Sequence, residues 1–321
     1  MQDSPLFSII LPVYNVSPYI ERCIISLQNQ TFKDFEMIFV DDCGQDDSMK
    51  IVETFVKKDN RIKLIANPKN LGTYHARHNG VKNANGEYIV FLDPDDELDA
   101  CFLSKFIQHL ENKKDDLIFF GIQNVPKNKF YHKPPRMLPF KKTQRVLEAI
   151  QKRNGKKTVW AGTPGKAYKK DFLKKVYGKL NIDPNFRYVY TEDKLLYYAA
   201  LLENPSYSSL PYNGYIYHNN KTSITNKTQL TNVNVLIEQL IFTTEKLKDL
   251  TSTAHLTKKE KSFFTFFLNE SVLSQISMMK RFENDGNDYL QNVFTAFKTI
   301  PSVRLFIRIM LHIISFKKIK L

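Results

Sequence analysis

The 321-residue sequence is short of several things, and each shortage closes off a class of protein. Cysteine occurs only at Cys23, Cys43 and Cys101, with no CxxC spacing. An odd count so arranged supports neither a disulfide framework nor a zinc site, and it fits a reducing compartment. Cys23 is expected to pack on a helix as a small hydrophobe. No uncharged apolar stretch reaches the roughly 18–20 residues that a bilayer-crossing helix needs. The N-terminus enters an apolar strand without a basic leader segment, so no signal peptide is expected. There is no helix-turn-helix, RNA-binding sheet signature or zinc finger, so no nucleic-acid partner is expected. Neither GxGxxG nor GxxxxGK[ST] occurs, which argues against a dehydrogenase and against a mononucleotide-binding P-loop. No internal repeat is present.

What is there begins with charge. The formal net charge is +14, unevenly spread. Residues 1–100 hold 10 Lys and Arg against 16 Asp and Glu, a net of −6, whereas 101–321 hold 37 against 17, a net of +20. An acidic part holding a cation and a basic part facing a polyanion or membrane would explain the split. The 42% hydrophobic content permits a proper core.

The hydrophobic pattern alternates strands with helices. Apolar runs at 6–13, 35–40, 62–66 and 88–92 read as strands, with a further one at 117–122. Helices are expected after Ser17-Pro18 to about Gln30, with Ser17 as N-cap, then over 48–58 and 73–83. Continuous apolar strands separated by helices indicate a parallel sheet covered on both faces. In such sheets ligands lie beyond the C-terminal strand ends. The polar clusters Tyr14-Asn15, Asp41-Asp42 and Asp93-Asp95 each follow a strand directly, so they should meet on one edge. Residues 124–143, rich in Lys and Pro, read as a mobile loop over the site or a surface excursion. Helices are expected at 144–153, 170–177 and 195–202, with a Gly/Pro-interrupted stretch at 160–168 and a Tyr-rich one at 205–225. From about 229 the pattern is helical.

Phe91-Leu92-Asp93-Pro94-Asp95-Asp96-Glu97 is the centre of this arrangement. Carboxylates crowded at a strand end repel one another. Asp93 and Asp95, one residue apart, can both reach a hard divalent cation, Mg²⁺ or Mn²⁺. The alternative is an acidic loop capping the next helix.

In their order along the chain, Ile9-Ile10-Leu11-Pro12-Val13-Tyr14-Asn15, Gln30-Thr31-Phe32, Asp41-Asp42, Asn70-Leu71-Gly72, Ala76-Arg77, Asp93-Pro94-Asp95-Asp96, Glu192-Asp193 and the stretch 217–225 resemble the motifs of a family 2, GT-A-fold glycosyltransferase. Asp41-Asp42-Cys43-Gly44 with Asp93-Pro94-Asp95-Asp96 is further similar to bacterial lipooligosaccharide β-1,3-galactosyltransferases. The resemblance implies an α/β fold, a Rossmann-like, mostly parallel sheet flanked by helices, over 1–225. A donor half would span about 1–122 and an acceptor half about 144–225. It implies an inverting transfer of a hexose from a UDP-sugar, with UDP-galactose first and UDP-GlcNAc, UDP-GalNAc or UDP-glucose as alternatives; the alternative of another class is a non-catalytic nucleotide-binding protein, in which Asp95 and Asp193 would be unnecessary. The acceptor would be a glycan or glycolipid. Cys43-Gly44 stands where the family commonly has Gly-Ser, and His78 where Asn often follows the Arg.

The resemblance also implies roles. Pro12, Tyr14 and Asn15 border the nucleotide; Asp42, or Asp41, bonds the uracil edge, where an imide N–H needs an acceptor. Arg77 contacts uracil or diphosphate, as guanidinium suits phosphate. Asp95 is the likelier metal ligand of the DXD pair, with Asp93 on the metal or ribose. Asp193 is the catalytic base, with Glu192 as the second choice. His218 is a metal ligand, a diphosphate contact or structural. Trp160 and the tyrosines of 207–217 are an acceptor platform or core.

The segment 226–321 reads as a helical extension. From 302 to 321 it carries five Lys and Arg and no acid, with Arg304, Arg308 and His312 on one helical face and Phe306, Ile309 and Ile313 on another. Such a helix lies in an anionic membrane interface or packs on protein, including a second copy in a homodimer. The implied location is the inner face of the cytoplasmic membrane, peripherally bound.

Overall fold

The computed structural model describes residues 4–126, 161–220, 233–258 and part of 260–268. Trp160, the expected helix at 144–153, most of the loop 124–143, residues 221–225 and the tail 302–321 lie outside the described residues. The chain divides into two compact units, 1–223 and 224–321.

The first unit is an eight-stranded mixed α/β sheet, in the order β3-β2-β1-β4-β7-β6-β8-β5. Its strands are β1 (Phe7–Val13), β2 (Phe35–Asp41), β3 (Ile62–Ala66), β4 (Tyr88–Phe91), β5 (Glu97–Leu98), β6 (Leu117–Val125), β7 (Lys166–Lys169) and β8 (Tyr207–His218). The helices are α1 (Ile20–Gln28), α2 (Ser48–Val56), α3 (Thr73–Asn83), α4 (Phe102–Leu110), α5 (Lys170–Leu180) and α6 (Glu192–Leu202). β3, β2, β1 and β4 are parallel neighbours, with Phe7 opposite both Phe35 and Tyr88 and Val13 opposite Asp41. β6 and β8 are also parallel, whereas β7 runs antiparallel between β4 and β6, and β5 antiparallel to β8. The polar clusters after β1, β2 and β4 therefore do emerge on one edge.

Apolar continuity along β1 is explained by burial on both faces. Phe7, Ile9, Leu11 and Val13 pack with Ile20, Cys23, Ile24 and Leu27 of α1 in one core cluster. Ile10 faces the other way, against α3, where a Cβ at Gly80 would stand 2.4 Å from its Cγ2. Cys23 is fully buried and free, the small hydrophobe expected.

Some local expectations change. Ser17 is not the cap of α1. The chain turns through 17–19, Val16 carbonyl accepts from Tyr19 and Ile20 N–H (2.9 and 3.1 Å), and Ser17 N–H donates to Asp46 (2.7 Å). The interrupted stretch at 160–168 and the Tyr-rich one at 205–225 hold β7 and β8. Their patterns mislead because β7 has only four residues and β8 carries Pro211, Asn213 and Gly214 within it. In β8 Gly214 is required by space, since its Cβ would meet the Phe102 ring.

The second unit includes α7 (Val233–Thr253), which buries Leu236, Ile237, Leu240 and Leu247. Its buried Thr243 and Thr244 hydroxyls donate to the carbonyls one turn back, Gln239 and Leu240 (2.7 and 2.8 Å), so neither is left unsatisfied. Among the described residues no helix is long and apolar enough to cross a membrane.

Candidate active site

Two loops at the strand ends lock together first. Asp42 N–H donates to Val13 carbonyl (3.0 Å), Val16 N–H to the Ser48 hydroxyl (2.9 Å) and Gln45 N–H to the Asn15 side chain (2.7 Å). Asn15 (φ 52°) and Cys43 (φ 61°) adopt left-handed backbone, uncommon outside glycine and concentrated at functional turns. Gly44 lies so close to Asn15 N that a Cβ would be 3.0 Å away. The result presents Tyr14, 41% exposed, beside exposed Asn15 and half-buried Pro12.

The two aspartates after β2 differ sharply. Asp42 is buried, and both its oxygens are engaged: Oδ1 by Asn67 Nδ2 and Leu71 N–H (2.8 and 2.9 Å), Oδ2 by Gly72 N–H (2.8 Å). Asp41 is less buried and accepts at Oδ1 from Cys43 N–H (2.9 Å). Of the two, Asp41 is the less enclosed. Asp42 instead pins Asn70-Leu71-Gly72, the lead-in to α3. Gly72 sits at φ 86° with Tyr188 carbonyl 2.5 Å from where its Cβ would be, so this approach needs glycine.

The acidic loop after β4 holds Asp93 and Asp95 partly exposed and Asp96 buried. Asp96 accepts from Tyr215 Oη and His218 N–H (both 2.7 Å), anchoring the loop to β8. Burial and the charges of Asp95 and Asp93 push the Asp96 carboxyl up to about 9. Burial and Asp93 likewise raise Asp95, although Asn220 Nδ2 donates to it at 2.8 Å. Hard carboxylate oxygens crowded together in this way suit a divalent cation. His218 turns its Nε2 to Glu97 (2.6 Å), which also meets Arg22 (3.1 Å). Among the described residues no group of three His, Cys, Asp or Glu side chains is arranged as a ready metal site.

Arg77 on α3 joins this loop to the acidic pair on α6. Its side chain is 6% exposed; Nη2 donates to Asp93 Oδ1 (2.7 Å) and Nη1 to Glu192 Oε1 (3.0 Å). Burial opposes its charge, but Asp93 and Glu192 hold its pKa above the usual guanidinium value. Glu192 is pushed up by burial and by Asp193. Asp193 is raised by burial, against the pull of Arg77, and its Oδ1 accepts from Lys194 N–H (2.6 Å). Thr191, a β-branched residue at φ 65°, makes the turn that brings both acids to the first turn of α6. Backbone strain of this kind, of order 1–3 kcal/mol, is held by surrounding structure and concentrates at functional sites.

The structure adds residues that the motifs did not single out. Asp96 was visible in the acid run, but its partner Tyr215 was not. Asn67 supports Asp42, and its only sequence signal was turn chemistry. Lys166 is buried on β7 near Asp193; a lone lysine before Ala167-Tyr168 carries no motif. His78 stacks on Tyr177 with parallel rings 4.4 Å apart, so its departure from the family pattern lies in the packing of α3 on α5. Of the tyrosines on β8, Tyr207 and Tyr215 are core, while Tyr212 and Tyr217 are partly buried.

The profile for "Glycosyl transferase family 2" matches residues 8–177. The uncharacterised glycosyltransferase EpsJ of Bacillus subtilis is 31% identical over 229 residues, 69% of this chain and 63% of its own length. The GalNAc(5)-diNAcBac-PP-undecaprenol beta-1,3-glucosyltransferase of Campylobacter jejuni is 41% identical over 105 residues, 32% of this chain and 34% of its own. The chain thus spans less than two thirds of each of these relatives. In fold it is similar to S. aureus TarS 1-349 in complex with UDP-GlcNAc, with TM-score 0.69, 20% identity, and coverage of 97% of this chain and 88% of that one.

Proposed function

As the chain belongs to glycosyl transferase family 2, we propose that it transfers a hexose from a UDP-sugar to an acceptor hydroxyl with inversion at the anomeric carbon. The observation that carries this reading is the Arg77 bridge, 2.7 Å to Asp93 and 3.0 Å to Glu192, which ties the donor loop to the acids beside the base. Tyr14, Asn15 and Pro12 line the nucleobase, and Asp41 accepts from the uracil imide. Arg77 supplies positive charge beside the diphosphate.

Asp193 takes the acceptor proton as the acceptor oxygen bonds to the anomeric carbon. The bond from that carbon to the diphosphate oxygen breaks in the same displacement, and the nucleoside diphosphate leaves with the electron pair. A carboxylate of raised pKa is a stronger base than a free one, which suits this role. Asp95 and Asp93 would hold Mn²⁺ or Mg²⁺, and His218 would join them only by leaving Glu97. The cation's contribution is to neutralise charge on the departing diphosphate.

The donor we favour is UDP-galactose, in a β-1,3 linkage to a surface glycan such as lipooligosaccharide, assembled on lipid at the inner face of the cytoplasmic membrane. UDP release by purified protein across UDP-, GDP- and CDP-sugars, with Mn²⁺ and with EDTA, tests the reading. Metal-dependent release from UDP-galactose supports the nucleotide, the sugar and the role of the metal, and leaves the acceptor and linkage to a transfer assay. Release from UDP-glucose or UDP-GlcNAc, the latter the ligand in the TarS complex, would replace the sugar and keep the chemistry. Loss of both turnover and Mn²⁺-dependent UDP binding would overturn it.

A further inference from the structure

Lys166 opens β7, opposite Phe119 of β6. The next residue, Ala167, pairs with Val90 of β4, so Lys166 stands level with the end of β4, where the acidic loop leaves the sheet. The lysine is 2% exposed. Its Nζ donates to Gly162 carbonyl and lies 4.8 Å from the centre of the Tyr197 ring. Tyr197 follows Asp193 by four residues on α6, and residues so spaced share one helix face. The ammonium that rests on Tyr197 is therefore on the same side of α6 as the Asp193 carboxylate.

A buried ammonium is costly, and apolar replacements of buried charges are often neutral or stabilising. Burial brings Lys166 down to about 7, with Asp193 acting against that fall. From the other side, Arg77 and Lys166 draw the Asp193 carboxyl down while burial and Asp93 raise it. Among the described residues, the charged and titratable groups around Asp193 are Arg77 on α3, Lys166 on β7, Asp93 on the acidic loop, Glu192 beside it, and Tyr168, whose hydroxyl it affects. Arg77 is already bonded to Asp93 and Glu192.

We propose that Lys166 is a second cation serving Asp193, after Arg77, a positioning residue that helps keep the base charged from the β7 side. The catalytic meaning rests on the function proposed above, while the pairing itself does not.

The test follows the Asp193 carboxyl carbon by ¹³C NMR in aspartate-labelled full-length protein, with the resonance assigned by Asp193→Asn. In Lys166→Met its titration midpoint is expected to rise by about one pH unit or more, the scale of a nearby opposite charge. Lys166→Arg should bring it back toward wild type. An unchanged midpoint in a cooperatively melting Lys166→Met protein overturns the pairing. If that variant does not fold, the reciprocal experiment decides. In lysine-labelled Asp193→Asn, the Lys166 midpoint falls if the two are coupled and stays if they are not. Wild-type UDP release by Asp193→Asn would defeat the functional reading and leave the midpoints to judge the pairing.

Discussion

Asp193 carries its charge where burial resists it, and that fixes how the rate should depend on pH. As the proposed base it must be ionised to act, and its carboxyl is raised by burial. The rate should therefore fall as pH drops through that raised value. The acid limb of the profile is expected above the ordinary aspartate pKa of about 3.9. Asp193→Asn is expected to lower UDP release by about 10²–10⁴, the usual contribution of a general base, while UDP affinity stays at wild type. Release at the normal rate would mean that another group takes the proton. The same residue-scale reasoning separates Asp41 from Asp42: of two adjacent carboxylates in one motif, Asp42 is taken up on both oxygens, and Asp41 is the one proposed to meet the ligand. Only the hydrogen bonds from Asn67, Leu71 and Gly72 tell them apart.

At the scale of elements, the entry to α3 is where backbone and site meet. Gly72→Ala would place a Cβ 2.5 Å from Tyr188 carbonyl at a positive φ, so it should destabilise by at least about 1–3 kcal/mol and weaken UDP binding by disturbing the segment that Asp42 holds. Gly178→Ala is the opposite case. It lies exposed within α5 with nothing within 4 Å of the new methyl, and should stabilise by about 0.4–1 kcal/mol. Thermal or denaturant unfolding of the two variants checks both signs. The strands β1, β2 and β4 were legible because burial on both faces makes them unbroken apolar runs, and the loops after them because each ends abruptly in polar residues. β7 and β8 were not. A four-residue strand holding Lys166 and Lys169 has no readable period, and β8 is recognisable only once β6 and β5 are seen to pair with it. Arg77, Asp93 and Glu192 were singled out by motif, yet one arm of the bridge among them spans 115 positions, from Arg77 to Glu192, and no local pattern encodes that.

On the scale of the whole molecule, the charge split between the first hundred residues and the remainder sets an expectation about location. If 302–321 is helical, as its sequence leads one to expect, its basic and apolar faces would suit an anionic lipid surface, where the proposed acceptor would be anchored. Removing 302–321 should abolish co-flotation with phosphatidylglycerol-containing liposomes, and raising salt should weaken the binding of the full chain, as surface charges are screened. Unchanged flotation after the deletion would dismiss the lipid contact. One feature of the first unit also limits how such a chain can diversify. Arg77 lies in the stretch that supplies the donor loops and Glu192 in the stretch that follows, so a recombination event between them must inherit both ends of the pair. A graft that replaces 161–220 with the matching segment of another family member, and lacks a carboxylate at position 192, would leave a guanidinium sealed in the interior with half its charge unanswered. Sugar specificity can drift by exchange of surface loops, but this crossing point should stay closed to shuffling.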